Sequence, residues 1–537
     1  MDGEIEARVG QLAEEFGAPQ ADVAWLLCDR HPADRAALTV VDGPGSVTTW
    51  TYGELAEASR RVAAVLADTG VRRGDRVATV MGKSTDLVAV VLGIWRLGAV
   101  YSPLFTAFAR EAVGSRLTDA AVTVVVADED QLTKVPEGAW SVLVAGNDAA
   151  DGLRARMAAA NPAQITSVAV GGDSALVHMF TSGTTGKPKG VVHPVRYIAG
   201  WQGYLEFGLG VRANSTFWCG ADPGWAYGLY TSIVAPLATG VPTILLQGGF
   251  SPETTWALLS ELAVTDFAAA PTVYRGLRAS TAEVPDGLAL QRLSSAGEPL
   301  TPEVNEWAGR VLGLAVHDHY GQTELGMPIG FPHHPRLAWP LRDGAMGVAL
   351  PGWTMTVLDE ERDEPAPAGQ SGRLAVAVAD SPFMTFQGYV GGVGADRFRA
   401  DGTYFMTGDL ASIDADGVVQ FSSRDDDVII MAGYRIGPFD VESTLLSHSA
   451  VDECAVVAAP DEVRGEVVEA FVVLARGTNA TDELVAELQQ WVKDNYAAHA
   501  YPRRIHVVDA LPKTPSGKIQ RAQLRRDRAA ETGAGSR

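Results

Sequence analysis

From Met179 to Gly190 the chain reads Met-Phe-Thr-Ser-Gly-Thr-Thr-Gly-Lys-Pro-Lys-Gly, with glycines interleaved among hydroxyls and lysines. Glycine permits close backbone approach while amides, hydroxyls and ammonium groups surround an anion, so this run predicts a phosphate loop. It is not the loop of ordinary P-loop NTPases, because GxxxxGK[ST] would need Gly at Thr181 and Ser or Thr at Pro188. Two further polar runs lie downstream. Arg424-Asp-Asp-Asp427 reads as a solvated hinge rather than a metal site, and Pro512-Lys-Thr-Pro-Ser-Gly-Lys518 ends on a lysine whose ammonium is a compact point charge.

These runs must be held by regular elements. Tyr52 to Asp68 predicts a helix with Leu55, Ser59, Val62 and Leu66 on one face, closed by Gly70. Arg76 to Met81 predicts a buried strand, Leu87 to Leu97 a helix, and Val122 to Ala127 and Ser141 to Ala145 two more strands. This βα alternation implies a mostly parallel sheet covered by helices. After Asp409 the punctuation changes, with the turn Asp414-Ala-Asp-Gly417 and then the acidic run. Beyond it, strands at Ala455 to Ala459 and Glu469 to Leu474 and a helix from Thr481 to Asn495, with Leu484, Leu488, Trp491 and Val492 on one face, predict a small α+β unit of about 110 residues. Arg528 to Arg537 is expected to fray.

Composition narrows the class. Among 537 residues, 47% are hydrophobic and 20% charged, enough apolar material for more than one buried core. The net charge of −22 repels nucleic acid and anionic lipid at long range, so a bound polyanion needs a locally positive pocket. Cys28, Cys219 and Cys454 are far apart and lack metal or disulfide spacing, and MDGEIEARVG lacks a signal-peptide pattern, so a reducing cytoplasm fits. The apolar stretches Leu87 to Tyr101 and Ser232 to Leu246 are interrupted by Arg96 and by Pro236, Gly240 and Pro242, so neither is a membrane span.

The loop closely resembles the signature of the adenylate-forming superfamily, which contains acyl-CoA and aryl-CoA synthetases, luciferases and the adenylation domains of peptide synthetases. Further family motifs follow in order: Ser294-Ser-Ala-Gly-Glu-Pro299, His317-Asp-His-Tyr-Gly-Gln-Thr-Glu324, Tyr404-Phe-Met-Thr-Gly-Asp409, Arg424 to Gly437, and Pro512 to Lys518. The resemblance spans about residues 25 to 525. It implies an α/β fold with a large multi-sheet N-terminal domain, residues 1–425, and a small mobile α+β C-terminal domain, residues 426–537. The implied chemistry joins a carboxylate to the α-phosphorus of ATP, an encounter of two anions that requires cations and Mg²⁺.

By this resemblance Thr181, Ser182, Gly183, Thr184, Thr185, Gly186, Lys187 and Lys189 hold the β- and γ-phosphates, Thr323 meets the α-phosphate, and Glu324 with Thr184 holds Mg²⁺. Gly297, Glu298 and Pro299 pass one face of adenine and Tyr320 stacks near the other. Asp318 accepts the adenine amino group, and His319, Gly321 and Gln322 complete that string. Asp409 and Arg424 bind the ribose hydroxyls, and Arg435 meets the adenylate phosphate. Gly433 and Tyr434 border the pantetheine arm of CoA, Asp426 is the hinge, and Lys518 is the catalytic cation of adenylation. Acylation of Lys518 by a lysine acyltransferase would remove that charge.

Trp218 to Gly228 resembles the acetyl-CoA and medium-chain branch, with Trp225, Ala226, Tyr227 and Ala296 lining an acyl tunnel. Ala226 stands where amino-acid-activating members carry an Asp, which favours an uncharged carboxylic acid. Acetate-specific members carry a Trp where this chain has Gly321, so the resemblance implies an open tunnel end and chains of roughly four to ten carbons, with a gain of about 0.8 kcal/mol per buried methylene. The function implied is ATP-dependent acyl-CoA synthesis in fatty acid metabolism, using ATP, Mg²⁺ and coenzyme A. Alternatives are an acyl-AMP ligase that loads an acyl carrier protein, an acetate or propionate–CoA ligase, a luciferase-like oxygenase, and a nonenzymatic nucleotide-binding protein on the same fold.

Overall fold

The computed structural model describes residues 3–534 apart from 44, 147–151, 182–187, 360–361, 393, 425–426, 432–433, 462–464 and 515–518. Local chemistry sets its elements. The helix Tyr52–Asp68 begins at a capping box, in which the Glu54 amide donates to Thr51 Oγ1 at 3.2 Å and the Thr51 amide donates to Glu54 Oε2 at 2.8 Å. Leu55, Ser59, Val62 and Leu66 are buried on it, as the spacing requires. The helix Thr85–Arg96, capped by Ser84, is buried along its whole length. Its buried Arg96 is neutralised by both Asp29 oxygens at 2.7 Å and by Ser59 Oγ at 2.8 Å, which is how a charge sits in that apolar stretch.

The described strands form three sheets. A six-stranded sheet runs Ser141–Ala145, Val122–Asp128, Arg76–Val80, Val100–Pro103 and Ala175–Thr181 in parallel, and then turns back antiparallel through Lys189–Pro194. A thirteen-stranded sheet has a parallel part made of Ala36–Val41, Thr243–Leu246, Phe217–Cys219, Asp266–Ala269, Arg292–Ala296 and Val316–Gln322, edged by Val47–Thr51, which pairs antiparallel to Ala36–Val41. Its other half, from Gly326–Gly330 through Ala345–Ala349, Val419–Arg424, Tyr404–Ile413 and Gly372–Ala377 to Met355–Leu358, is antiparallel. The expected mostly parallel arrangement therefore holds only up to Gln322. Beyond that point the strands pair antiparallel, through tight turns between Gln322 and Gly326 and between Ile413 and Val419 and through longer loops elsewhere, with no helical crossover required.

A five-stranded sheet contains Ile429–Met431, Tyr434–Ile436, Val451–Asp461, Gly465–Leu474 and Arg504–Val507. Its core includes Val456, Val468, Leu488 and Val492, so the helix Asp482–Asn495 buries the face its sequence marks. A helix spans Arg521–Ala534, and Arg528 Nε donates to the buried Glu469 at 2.8 Å, so an ion pair ties this helix down at Arg528, where fraying is expected to begin.

This topology concentrates chemistry at one place. The strands Phe217–Cys219, Arg292–Ala296 and Val316–Gln322 are parallel neighbours or near neighbours, so the segments that leave their carboxyl ends emerge on the same side. Those segments carry Trp225 to Tyr227, Gly297 to Pro299, and Thr323 with Glu324. Ligands of open α/β sheets bind at such carboxyl ends.

Candidate active site

The two ends of the phosphate-loop run lie on paired antiparallel strands at the edge of the six-stranded sheet, with Thr181 paired to Lys189 and Phe180 to Gly190. Ser182, Gly183, Thr184, Thr185, Gly186 and Lys187 lie outside the described residues, as do Asp426, Gly433 and Lys518. Tyr434 and Arg435 are described only as backbone, in the strand Tyr434–Ile436.

The second strand of that pair positions Thr323 and Glu324. His193 Nε2 lies 2.7 Å from the Thr323 carbonyl, and Tyr197 Oη donates to the same oxygen at 2.8 Å. A carbonyl only accepts, so His193 carries its proton on Nε2, and Nδ1 accepts from Tyr230 Oη at 2.9 Å. Burial pushes the His193 pKa down to about 3, which keeps the ring neutral and this tautomer in place. Glu324 is buried, and Tyr389 Oη donates to its Oε1 at 2.5 Å. The Lys189 ammonium stands over the Tyr389 ring, 4.9 Å from its centroid.

Asp409 and Arg424 are directly opposed on the neighbouring strands Tyr404–Ile413 and Val419–Arg424, with Arg424 Nε 3.3 Å from Asp409 Oδ1. Asp409 Oδ2 accepts from Tyr320 Oη and, at 2.8 Å, from Gln322 Nε2, which also donates to the Thr407 carbonyl at 2.9 Å. Burial raises the Asp409 pKa and Arg424 opposes that shift. Asp318 is also buried, accepts from the His319 amide at 3.1 Å, and has its pKa pushed well above the usual carboxylate range by burial. Along with Leu300, Asn305 and Phe331 it lines a small cavity.

Gly297 has φ +101° and a Cβ there would meet nothing within 4 Å, so its face is open. The Glu298 carboxylate is held by Thr272 Oγ1 at 2.7 Å and Arg275 Nη2 at 2.6 Å, which leaves its backbone to face that space beside the exposed Pro299.

The acyl-side residues form an aromatic wall. Trp225 packs on Phe105 and Phe108 at centroid distances of 5.5 and 5.8 Å, and Ala226 and Ala296 are buried. Tyr227 Oη lies 3.3 Å from Tyr204 Oη, which in turn is 3.1 Å from His319 Nδ1. The His319 Nε2 is 3.1 Å from the Phe331 carbonyl. Both ring nitrogens of His319 are thus engaged, so its imidazole belongs to the Tyr204–Tyr227 wall and has no free hydrogen-bonding atom for a nucleotide. That corrects its expected grouping with the nucleotide residues.

Gly321 requires a second correction, because a Cβ there would lie 2.1 Å from the Gly326 carbonyl oxygen and 2.4 Å from Met327 Sδ. The tight hairpin between Val316–Gln322 and Gly326–Gly330 closes onto Gly321, so the end expected to be open is occupied by the buried Met327. His193, Tyr197, Tyr204, Met327 and Tyr389 were not among the sequence candidates. Each lies outside the quoted motifs, and only its spatial neighbours mark it.

These residues fit Mg²⁺ and ATP. Among the described residues no three His, Cys, Asp or Glu side chains form a metal cage. A single buried carboxylate, Glu324, suits Mg²⁺, which takes one or two carboxylates and completes its shell with substrate phosphates and water. The open face of Gly297 and the buried acceptor Asp318 suit a flat base with an exocyclic amine.

Comparison with known proteins agrees. Residues 26–390 match the AMP-binding enzyme family and residues 440–518 match the AMP-binding enzyme C-terminal domain. The chain therefore belongs to the AMP-binding enzyme family. It is 35% identical to acetyl-coenzyme A synthetase of Bacillus subtilis (strain 168), over 94% of this chain and 90% of that one. It is 33% identical to the mitochondrial acyl-coenzyme A synthetase ACSM3 of Rattus norvegicus, covering 90% of this chain and 85% of the relative. The crystal structure of Brucella canis acyl-CoA synthetase matches with a TM-score of 0.75 at 40% identity, over 99% of each chain.

Proposed function

We propose that this protein is an AMP-forming acid–thiol ligase that activates a short- to medium-chain carboxylic acid, straight or branched, and transfers it to CoA. The observation that carries the reading is that the strand Val316–Gln322 leads directly into Glu324, which meets Lys189 through Tyr389, while Tyr320 and Gln322 of the same strand hold the Asp409–Arg424 pair, in a chain of this family. In the first half-reaction a carboxylate oxygen attacks the α-phosphorus of ATP and pyrophosphate leaves. In the second, the CoA sulfur attacks the acyl carbonyl, AMP leaves, and the thiol proton passes to solvent. Glu324 with Thr184 would hold Mg²⁺, which would supply positive charge for the pyrophosphate.

On this reading Thr181 to Lys189 cradle the β- and γ-phosphates, Thr323 meets the α-phosphate, and Asp409 with Arg424 orients the ribose. Gly297 to Pro299, Tyr320 and Asp318 receive adenine. Lys518 bridges carboxylate and phosphate during adenylation, Arg435 meets the adenylate phosphate, and Gly433 with Tyr434 admits the pantetheine arm. The small domain, residues 426–537, turns about Asp426. This division is supported by the separate sheet that starts at Ile429 and by the 2.8 Å ion pair from Arg525 to Asp427 just past the hinge position.

Met327 replaces Gly321 as the residue that ends the acyl tunnel, together with Tyr227 on the adjoining wall. Among the described residues no helix is long and apolar enough to cross a membrane. Three buried free thiols fit a reducing cytoplasm.

The test measures pyrophosphate and AMP release with and without CoA, across carboxylates from two to twelve carbons, in the wild type and in Lys518→Ala. The reading expects CoA-dependent AMP release that peaks between propionate and the medium chains. Lys518→Ala should lose nearly all pyrophosphate release yet still convert synthetic acyl-adenylate to thioester. Adenylation without CoA turnover would move the acceptor to a carrier protein, and near-wild-type adenylation by Lys518→Ala would remove that lysine from the mechanism.

A further inference from the structure

The segment that carries Tyr389 belongs to none of the motifs above, yet it reaches the centre of the site. Tyr389 is buried, and its ring is fixed on three sides. Phe386 packs against it at a centroid distance of 5.1 Å, and Phe386 itself stacks on Phe398 at 6.1 Å and meets Phe405 at 5.5 Å. A Cβ on Gly394, at φ +75°, would lie 2.7 Å from the Tyr389 ring, so glycine there lets the chain close against it. The third side faces the Lys189 ammonium at 4.9 Å. The hydroxyl at the end of this clamped ring donates to Glu324 Oε1 at 2.5 Å.

A lysine over the face of an aromatic ring and a glutamate at its hydroxyl end would ordinarily collapse into an ion pair. Attraction between unit charges is strong in a partly dry site, and Lys has a flexible stem that reaches. Among the described residues no ion pair joins Lys189 to Glu324, and both side chains instead address Tyr389. The ring offers the cation a π face and the acid a hydroxyl. Each charge is oriented without being quenched by the other. Glu324 has one oxygen engaged by the phenol, which fixes the carboxylate plane and leaves Oε2 without a partner from the Tyr389 side.

We infer that Tyr389 is a positioning residue that orients the Glu324 carboxylate for a divalent cation and separates it from Lys189, so that both charges remain available to the Mg²⁺–pyrophosphate leaving group. The inference rests on the proposed role of Glu324. Partners that orient a metal-ligating carboxylate typically contribute about 10- to 100-fold to metal affinity.

The test uses the full chain and equilibrium binding rather than turnover. ATP affinity is measured by calorimetry in excess Mg²⁺ and again in excess chelator, for wild type, Tyr389→Phe and Tyr389→Leu, with melting temperatures recorded. Tyr389→Phe keeps the ring and its cation contact and removes only the hydroxyl. It should lose about 10-fold or more of the Mg²⁺-dependent gain in ATP affinity while its affinity in chelator stays at the wild-type value. Tyr389→Leu, which lets Lys189 pair with Glu324, should weaken ATP binding in chelator as well. A Tyr389→Phe protein with the full Mg²⁺ gain overturns the inference, and so does one that loses affinity equally in both buffers, which is the mark of a structural role. A wild type that shows no Mg²⁺ gain overturns the role of Glu324 itself, and the inference with it.

Discussion

Met327→Ala is the most direct test of where the acyl tunnel ends. Met327 is buried, and its sulfur stands 2.4 Å from where a Gly321 Cβ would be, which is the position from which the Trp of acetate-specific members closes the pocket. Truncation to alanine removes Cγ, Sδ and Cε, a volume of roughly three methylenes. A cavity of that kind costs about 2–5 kcal/mol of stability if nothing fills it. An acyl chain two carbons longer would fill most of it, and at about 0.8 kcal/mol per methylene the longer substrate gains about 1.6 kcal/mol, or roughly 15-fold in relative kcat/KM.

The assay is AMP release over a homologous series of straight-chain acids, with melting temperature measured in the presence of each acid. The optimum should move up by about two carbons, and the longer acids should restore part of the lost thermal stability. Gly321→Trp is the contrasting variant. Its ring has no room beside the Gly326 carbonyl, so it should unfold the hairpin rather than trim the substrate range. An unchanged chain-length profile in a folded Met327→Ala protein refutes the placement of Met327 at the tunnel end.

The nucleotide side and the buried histidines give further tests. Asp409→Asn keeps the shape of the Tyr320–Gln322–Arg424 cluster but removes its charge, so KM for ATP should rise about tenfold and the preference for ATP over 2′-deoxy-ATP should shrink; an unchanged preference would take Asp409 off the ribose. Burial holds His193 and His319 at about 3 and His178 at about 4, whereas each titrates near 6.5 once unfolded. Below pH 6.5 the unfolded chain binds more protons than the folded one, so these groups make stability fall as pH falls, by about 1.4 kcal/mol per pH unit for each histidine until the folded pKa is reached. Urea midpoints from pH 7.5 to 5 should show this slope, and His193→Gln should flatten it. A pH-independent midpoint would mean that the imidazoles are not buried neutral.

Much of the fold was legible because local signals agree with the global arrangement. The capping box at Thr51 and Glu54, the helical face of Leu55 to Leu66 and the glycine stop at Gly70 all point to the helix that forms. The antiparallel half of the large sheet was less legible. Its strands, such as Tyr404–Ile413 and Gly372–Ala377, pair across the long segment 378–403, so their register depends on residues far apart along the chain. Around the site, motifs nominated Glu324, Asp409 and Arg424, but they could not reveal what each side chain touches. His319 follows Asp318 on the strand Val316–Gln322, but successive residues on a strand face opposite ways, and its ring turns to Tyr204. The same limit applies at Gly321. A missing side chain was read as empty space, whereas the hairpin return of Gly326 and Met327 fills it.

The charge of the chain sharpens what the site must do. A protein of net charge −22 that captures a tetra-anionic nucleotide has to suppress its own acids where the phosphates pass without consuming its cations in ion pairs. The three carboxylates of the site are met chiefly by neutral donors. Glu324 takes the Tyr389 hydroxyl, Asp409 takes Tyr320 and Gln322 with Arg424 on its other oxygen, and Asp318 takes a backbone amide. The Tyr389 hydroxyl orients the Glu324 carboxylate without pairing it with a cation of the chain, so the site can still hold a divalent cation. Lys189, parked on a ring face, keeps its full charge for the phosphates. An ion pair in place of the Tyr389 contact would release the carboxylate plane that the phenol fixes and remove both charges from use, which is why the hydroxyl and the ring face have to be tested separately.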